Sequence, residues 1–166
     1  MKVTLNDFKK RKQLKRELIK SLKTACVEIF GTDTPSSIQE IKITVLKRFP
    51  TSAGYDRAFA RLYQKGVVNL IITPGYDINS KVRLSLIAHE LTHVKQFINQ
   101  ELKFIYKPKN KTKRYIYKNR TYTKVYSFKK FDSYTNRKAQ INYISKICPW
   151  EREPSLIADK LSPWTF

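Results

Sequence analysis

The chain is short and strongly basic, with 166 residues, 34 Lys or Arg against 13 Asp or Glu, and a formal charge of +21. That length suits one domain around one sizeable core and needs no second, so residues 1–166 are expected to fold as a unit. The charge favours acidic partners (nucleic acid, acidic protein, an anionic surface) and bears on partners more than on fold.

The opening MKVTLNDFKKRKQLKRELIKSL lacks the unbroken apolar stretch and small-residue cleavage site of a secretory signal. No segment approaches the roughly 20 apolar residues of a membrane span. An intracellular protein without membrane association is expected. Cys26 and Cys148 stand far apart with no metal-ligand spacing, and are expected to be free thiols.

Between about Asn6 and Phe30 the apolar positions Leu14, Leu18, Leu22, Cys26 and Ile29 repeat with a helical period, and Lys and Arg fill the rest. The basic run Lys9 to Arg16 reads as a solvated helix face more readily than as a nucleic-acid patch. Gly31 and the Thr32 to Ser37 cluster end this helix. Ile41 to Leu46 alternates as a strand. Ala58 to Tyr63 and Val67 to Thr73 are two further strands joined by Gln64-Lys65-Gly66, a loop short enough for a hairpin.

Pro74-Gly75 breaks the second of these, and Asn79 or Ser80 can cap a helix that follows. That helix contains His89-Glu90-Leu91-Thr92-His93-Val94-Lys95-Gln96. Positions four apart stack on one helix face, so His89 and His93 can offer ring nitrogens to one metal ion with Glu90 beside them. They are the only 2 histidines of the chain. Ile87, Leu91, Val94 and Ile98 form one apolar stripe, and Val82, Leu86 and Phe97 lie near the His face. A helix apolar on two faces is buried on two sides.

From Lys103 to Lys130 eleven basic residues and no acidic one alternate with aromatic residues. Tyr115-Ile116-Tyr117 and Tyr122 to Phe128, flanking Lys118-Asn119-Arg120, read as a strand, turn and strand. Two readings stand side by side. The basic groups can take phosphates while the rings stack on bases, or the tyrosines cover a core while lysines protect a sheet edge. Ile141, Ile144 and Ile147 suggest a short helix or connecting segment, and Leu156 to Leu161 a C-terminal helix stopped by Pro163.

A hydrolytic zinc site needs three protein ligands and an open position. With two histidines in hand, the third must be an oxygen or a cysteine, and Glu151 and Glu153 are the most concentrated acidic pair downstream. HELTHVKQ followed by Pro149-Trp150-Glu151-Arg152-Glu153-Pro154 resembles the gluzincin metallopeptidases, in particular small phage- or virus-encoded proteins with HExxHxxQ and a later PWExEA-type segment. The resemblance covers roughly Ser80 to Lys160. It implies an α+β, zincin-like fold: an N-terminal helix, a small and mostly antiparallel sheet, the active-site helix, a basic β-hairpin and a C-terminal helix.

It also implies Zn2+ as cofactor, His89, His93 and Glu153 as metal ligands, and Glu90 as the general base that takes a proton from a metal-activated water attacking a peptide bond. Glu151 is the other candidate for the third position, since two glutamates two apart point to different sides of a helix. Pro154 stands where the pattern has alanine, so the last helix is expected to begin there, with Glu153 at its mouth. Tyr143 is a candidate oxyanion donor, and Asp159 a candidate to orient a ligand histidine.

Two functions follow. The first is a zinc-dependent peptidase acting on a peptide or protein. The second is a basic nucleic-acid-binding protein using Lys103 to Lys130, with a structural or vestigial metal, or a hybrid that cleaves proteins while docked on nucleic acid.

Overall fold

The computed structural model describes residues 2–6, 12–32, 35–45, 58–63, 66–72, 80–107, 112–122 and 136–161. Asn79, Pro163 and the strand continuation past Tyr122 lie outside them. The chain is α+β, with strands β1 (Lys2–Asn6), β2 (Glu40–Val45), β3 (Ala58–Tyr63) and β4 (Val67–Ile72), then β5 (Leu102–Lys107), β6 (Thr112–Tyr117) and β7 (Arg120–Tyr122). Its helices are α1 (Lys12–Phe30), α2 (Ser80–Ile98), α3 (Arg137–Ile147) and α4 (Arg152–Leu161), the last entered through a 3-10 turn at Pro149–Glu151.

The first sheet has the order β1-β2-β4-β3. It corrects the expectation of a mostly antiparallel sheet, because β1 pairs parallel with β2 and β2 parallel with β4; only β3 runs antiparallel to its neighbour β4. Two features produce this: β1 precedes the expected first helix, and β4 pairs with β2 on the side away from β3. Parallel neighbours need a crossover, and α1 supplies the one between β1 and β2. The β3–β4 hairpin matches the expected Ala58 to Tyr63 and begins its second strand at Val67; Thr73, its expected end, lies outside the described residues. Gly66, in its loop, has φ +72, and a Cβ there would lie 2.2 Å from the Ser37 carbonyl oxygen. Its own carbonyl accepts from the backbone amides of Gln39 and Glu40, tying the hairpin to the start of β2.

Leu18, Leu22, Ala25, Cys26 and Ile29 of α1 are buried against Ile41 and Ile43 of β2, Val68, Leu70 and Ile72 of β4, and Leu86, Ile87, Leu91 and Val94 of α2. β4 alternates buried and half-buried residues as a one-faced strand should. α2 packs against both α1 and α4 and against β3. Two-sided burial therefore extends past the apolar stripes: Ser85, Thr92 and Gln96 are also buried.

A second core forms where the three-stranded antiparallel sheet β5-β6-β7 meets α3 and the 3-10 turn, around Leu102, Ile144, Cys148 and Trp150. The β6–β7 turn is one residue shorter than expected, because Arg120 already belongs to β7 and pairs with Tyr117; Lys118 and Asn119 both have positive φ, as a two-residue type I′ connection requires. Its tyrosines turn inward. Tyr115 stacks on Trp150 with ring centroids 4.7 Å apart, and Tyr122 meets the same indole edge-on at 5.4 Å. The strand register places Lys103, Ile105, Arg114 and Ile116 on the opposite face. Among the described residues no helix is long and apolar enough to cross a membrane.

Candidate metal centre

Residues 80–98 form one unbroken helix, so His89 and His93 project from the same side one turn apart. Their rings meet edge to face with centroids 5.0 Å apart. The third member arrives from the 3-10 turn: Glu151 Oε2 lies 3.1 Å from His89 Nε2 and 3.3 Å from His93 Nε2. The three ligand atoms all lie within 4.8 Å of one another, and the group can hold a metal ion.

Glu153, the expected third ligand, is not brought to the histidines. Its carboxylate faces Lys95 at 4.0 Å, and it lines an open surface groove with Lys118, Lys146 and Leu156. The helical phase gives the reason. Glu151, Pro154, Ser155 and Ala158 follow one another at i, i+3, i+4 and i+7, and the last three are buried. Glu153 shares its side with Leu156, which is 48% exposed. The helix begins at Arg152, two residues earlier than expected, and Pro154 is accommodated in its first turn, where no intrahelical amide bond is needed.

Burial disfavours charge on both His93 and Glu151, yet their mutual attraction wins. Burial pulls the His93 pKa down, but the Glu151 carboxylate, its hydrogen bond, the Glu90 charge and the Gln96 hydrogen bond together raise it to about 9. Burial likewise pushes Glu151 up, and the two imidazoles overcome this, holding its carboxyl well below the usual carboxylate range. In the metal-free protein a proton shared near His93 thus takes the place of a cation. Glu90 is buried on the same helix, and its charge reaches His93.

Asp159 accepts from Arg137 Nε through both carboxylate oxygens, at 3.0 and 3.1 Å, joining α4 to α3. Tyr143 is a buried residue of α3.

Gln96 closes the HELTHVKQ segment. Its side chain is 1% exposed. Its Nε2 donates to the Trp150 carbonyl at 2.9 Å, and its Oε1 lies 3.0 Å from His93 Nδ1. The available signal was spacing: a glutamine three residues after a ligand histidine is its neighbour on the helix surface. Comparison of the chain with protein-family models, with curated proteins and with solved structures gave no match.

Proposed function

We propose that this chain is a zinc-dependent metallopeptidase of the gluzincin type, with His89, His93 and Glu151 as metal ligands and Glu90 as general base. The observation that carries the reading is the convergence of Glu151 on the two HELTH histidines from a separate element. Two neutral imidazoles and a carboxylate form a ligand set used by hydrolytic zinc. Tetrahedral zinc with bonds of about 2.0–2.2 Å holds neighbouring ligand atoms about 3.3 Å apart, close to the 3.1 and 3.3 Å His–Glu contacts.

Zinc bound there would act as the Lewis acid that activates water and polarises the scissile carbonyl. The residues of the chain do the rest. Glu151 offsets part of the ion's charge. Glu90, one residue after His89 and near enough for its charge to act on His93, takes a proton from the attacking water and returns it to the departing amine. The substrate is a peptide or protein. The test is Glu90→Gln, which keeps all three ligands and removes the base: metal content should stay at the wild-type level while peptide cleavage falls by about 10²–10⁴-fold. Cleavage at the wild-type rate would refute the assignment.

A protease docked on nucleic acid is a second reading, supported by the basic outer face of β5–β7. Lys103 and Arg114 are exposed there, while Tyr115, Tyr117 and Tyr122 pack into the second core. At these residues docking would run through phosphates, with Tyr115, Tyr117 and Tyr122 engaged in the core and not in stacking.

A further inference from the structure

We propose that Gln96 is a positioning residue that sets the ring nitrogen His93 presents and, with the same amide, fixes the turn that delivers Glu151. The inference rests on reading the cluster as a metal centre. It concerns a residue outside that cluster.

The Trp150 backbone carbonyl can only accept, so the end of the Gln96 amide 2.9 Å from it must be the NH2. The other end, 3.0 Å from His93 Nδ1, is therefore the amide oxygen. An oxygen there needs a proton on Nδ1, because a bare ring nitrogen would set lone pair against lone pair. With Nδ1 held protonated, the proton that a metal would displace is the one on Nε2, the nitrogen that faces Glu151 at 3.3 Å, and the ring is left with its lone pair there. One buried amide thus selects the tautomer.

The second contact acts on the chain preceding Glu151. Trp150 is held at its carbonyl by Gln96 and at its ring by Tyr115, stacked at a centroid distance of 4.7 Å. The Glu151 amide donates to the Cys148 carbonyl at 2.9 Å, which closes the turn. Glu151 has little freedom to swing, and its carboxylate arrives beside His93 and beside His89, 62 positions earlier in the chain. Gln96 therefore couples two ligands from different elements, so its removal should loosen both. Outer partners of ligand histidines typically carry about 10–100-fold in metal affinity.

The test uses the full chain, zinc alone as ligand, and a competing chromogenic chelator. Gln96→Met, similar in size and without hydrogen bonds, should bind zinc about 10–100-fold more weakly than wild type, and its cobalt-substituted form should show a changed visible spectrum. Gln96→Glu keeps an acceptor for Nδ1–H and loses the donor to Trp150, so its affinity should fall between the two. Melting curves establish the folded fraction on which each affinity is read. Wild-type affinity and cobalt spectrum in folded Gln96→Met would overturn the proposal.

The wild type supplies a test independent of any variant. In ¹⁵N spectra of the zinc-loaded protein, His93 should carry its proton on Nδ1 and ligate through Nε2, and the reverse assignment would defeat the inference. A wild type that takes up no zinc would instead sink the metal-centre reading itself.

Discussion

His89 and Glu151 stand 62 positions apart in the chain and meet at 3.1 Å, Nε2 to Oε2. The same carboxylate lies 3.3 Å from His93, and the metal-free protein therefore carries a half-buried charge pair whose stability depends on pH. His93 titrates at 6.5 when unfolded and about 9 when folded, so its contribution is complete below 6.5 and fades as pH rises through 9. Glu151 is shifted down from 4.5, so its contribution is present above 4.5 and lost as pH falls below it. Melting of chelator-treated protein should be highest between pH 4.5 and 6.5 and decline toward 9. His93→Ala should flatten the alkaline limb. A midpoint that climbs from pH 6.5 to 9 in the wild type would contradict the pairing.

Trp150 belongs to both the second core and the turn that holds Glu151. Trp150→Ala should cost about 3–5 kcal/mol of stability and weaken zinc binding in the fraction that remains folded. Trp150→Phe keeps a ring for Tyr115 to stack on and the carbonyl for Gln96, and should lose less of both. Urea unfolding paired with chelator competition separates the two effects.

Asp159 offers a contrast. Its partner is Arg137 at 3.0 Å, and both side chains are about a quarter exposed. Asp159→Asn should cost about 1 kcal/mol or less and leave zinc affinity within about twofold. A loss on the scale of a ligand's outer partner, about 10–100-fold, would return Asp159 to the metal centre.

If the outer face of β5–β7 docks nucleic acid, binding of a single-stranded oligonucleotide should weaken steeply with salt. Lys103→Glu with Arg114→Glu should lower the affinity and flatten the salt slope by roughly one phosphate contact per residue removed. His93→Ala should leave this binding unchanged. Fluorescence anisotropy across a salt series checks all three, and salt-independent binding would rule out phosphate contacts.

Much of this arrangement was legible because periodicity carries it. The α1 stripe, the β3–β4 hairpin and the two-sided burial of α2 follow from apolar spacing alone. β1 was missed because five residues with two apolar positions give little alternation to read, and its parallel pairing with β2 was hidden with it; the parallel pairing of β2 with β4 skips the intervening β3 and leaves no sign in apolar spacing. The two histidines were visible as a pair on one helix. Their carboxylate partner depended on helix phase across Pro149 to Pro154. In the structure Pro154, Ser155 and Ala158 are buried on the side that carries Glu151, whereas the resemblance pointed to Glu153. The inward turn of Tyr115, Tyr117 and Tyr122 required the position of Trp150, which belongs to another element and leaves no periodic trace in the hairpin.

The central claim is that His89, His93 and Glu151 hold one metal ion. Zinc content of the purified wild type, measured against Glu151→Ala and Glu153→Ala, tests it most directly. The account predicts about one zinc per chain in the wild type and in Glu153→Ala, and little in Glu151→Ala. Zinc retained by Glu151→Ala and lost from Glu153→Ala would contradict it.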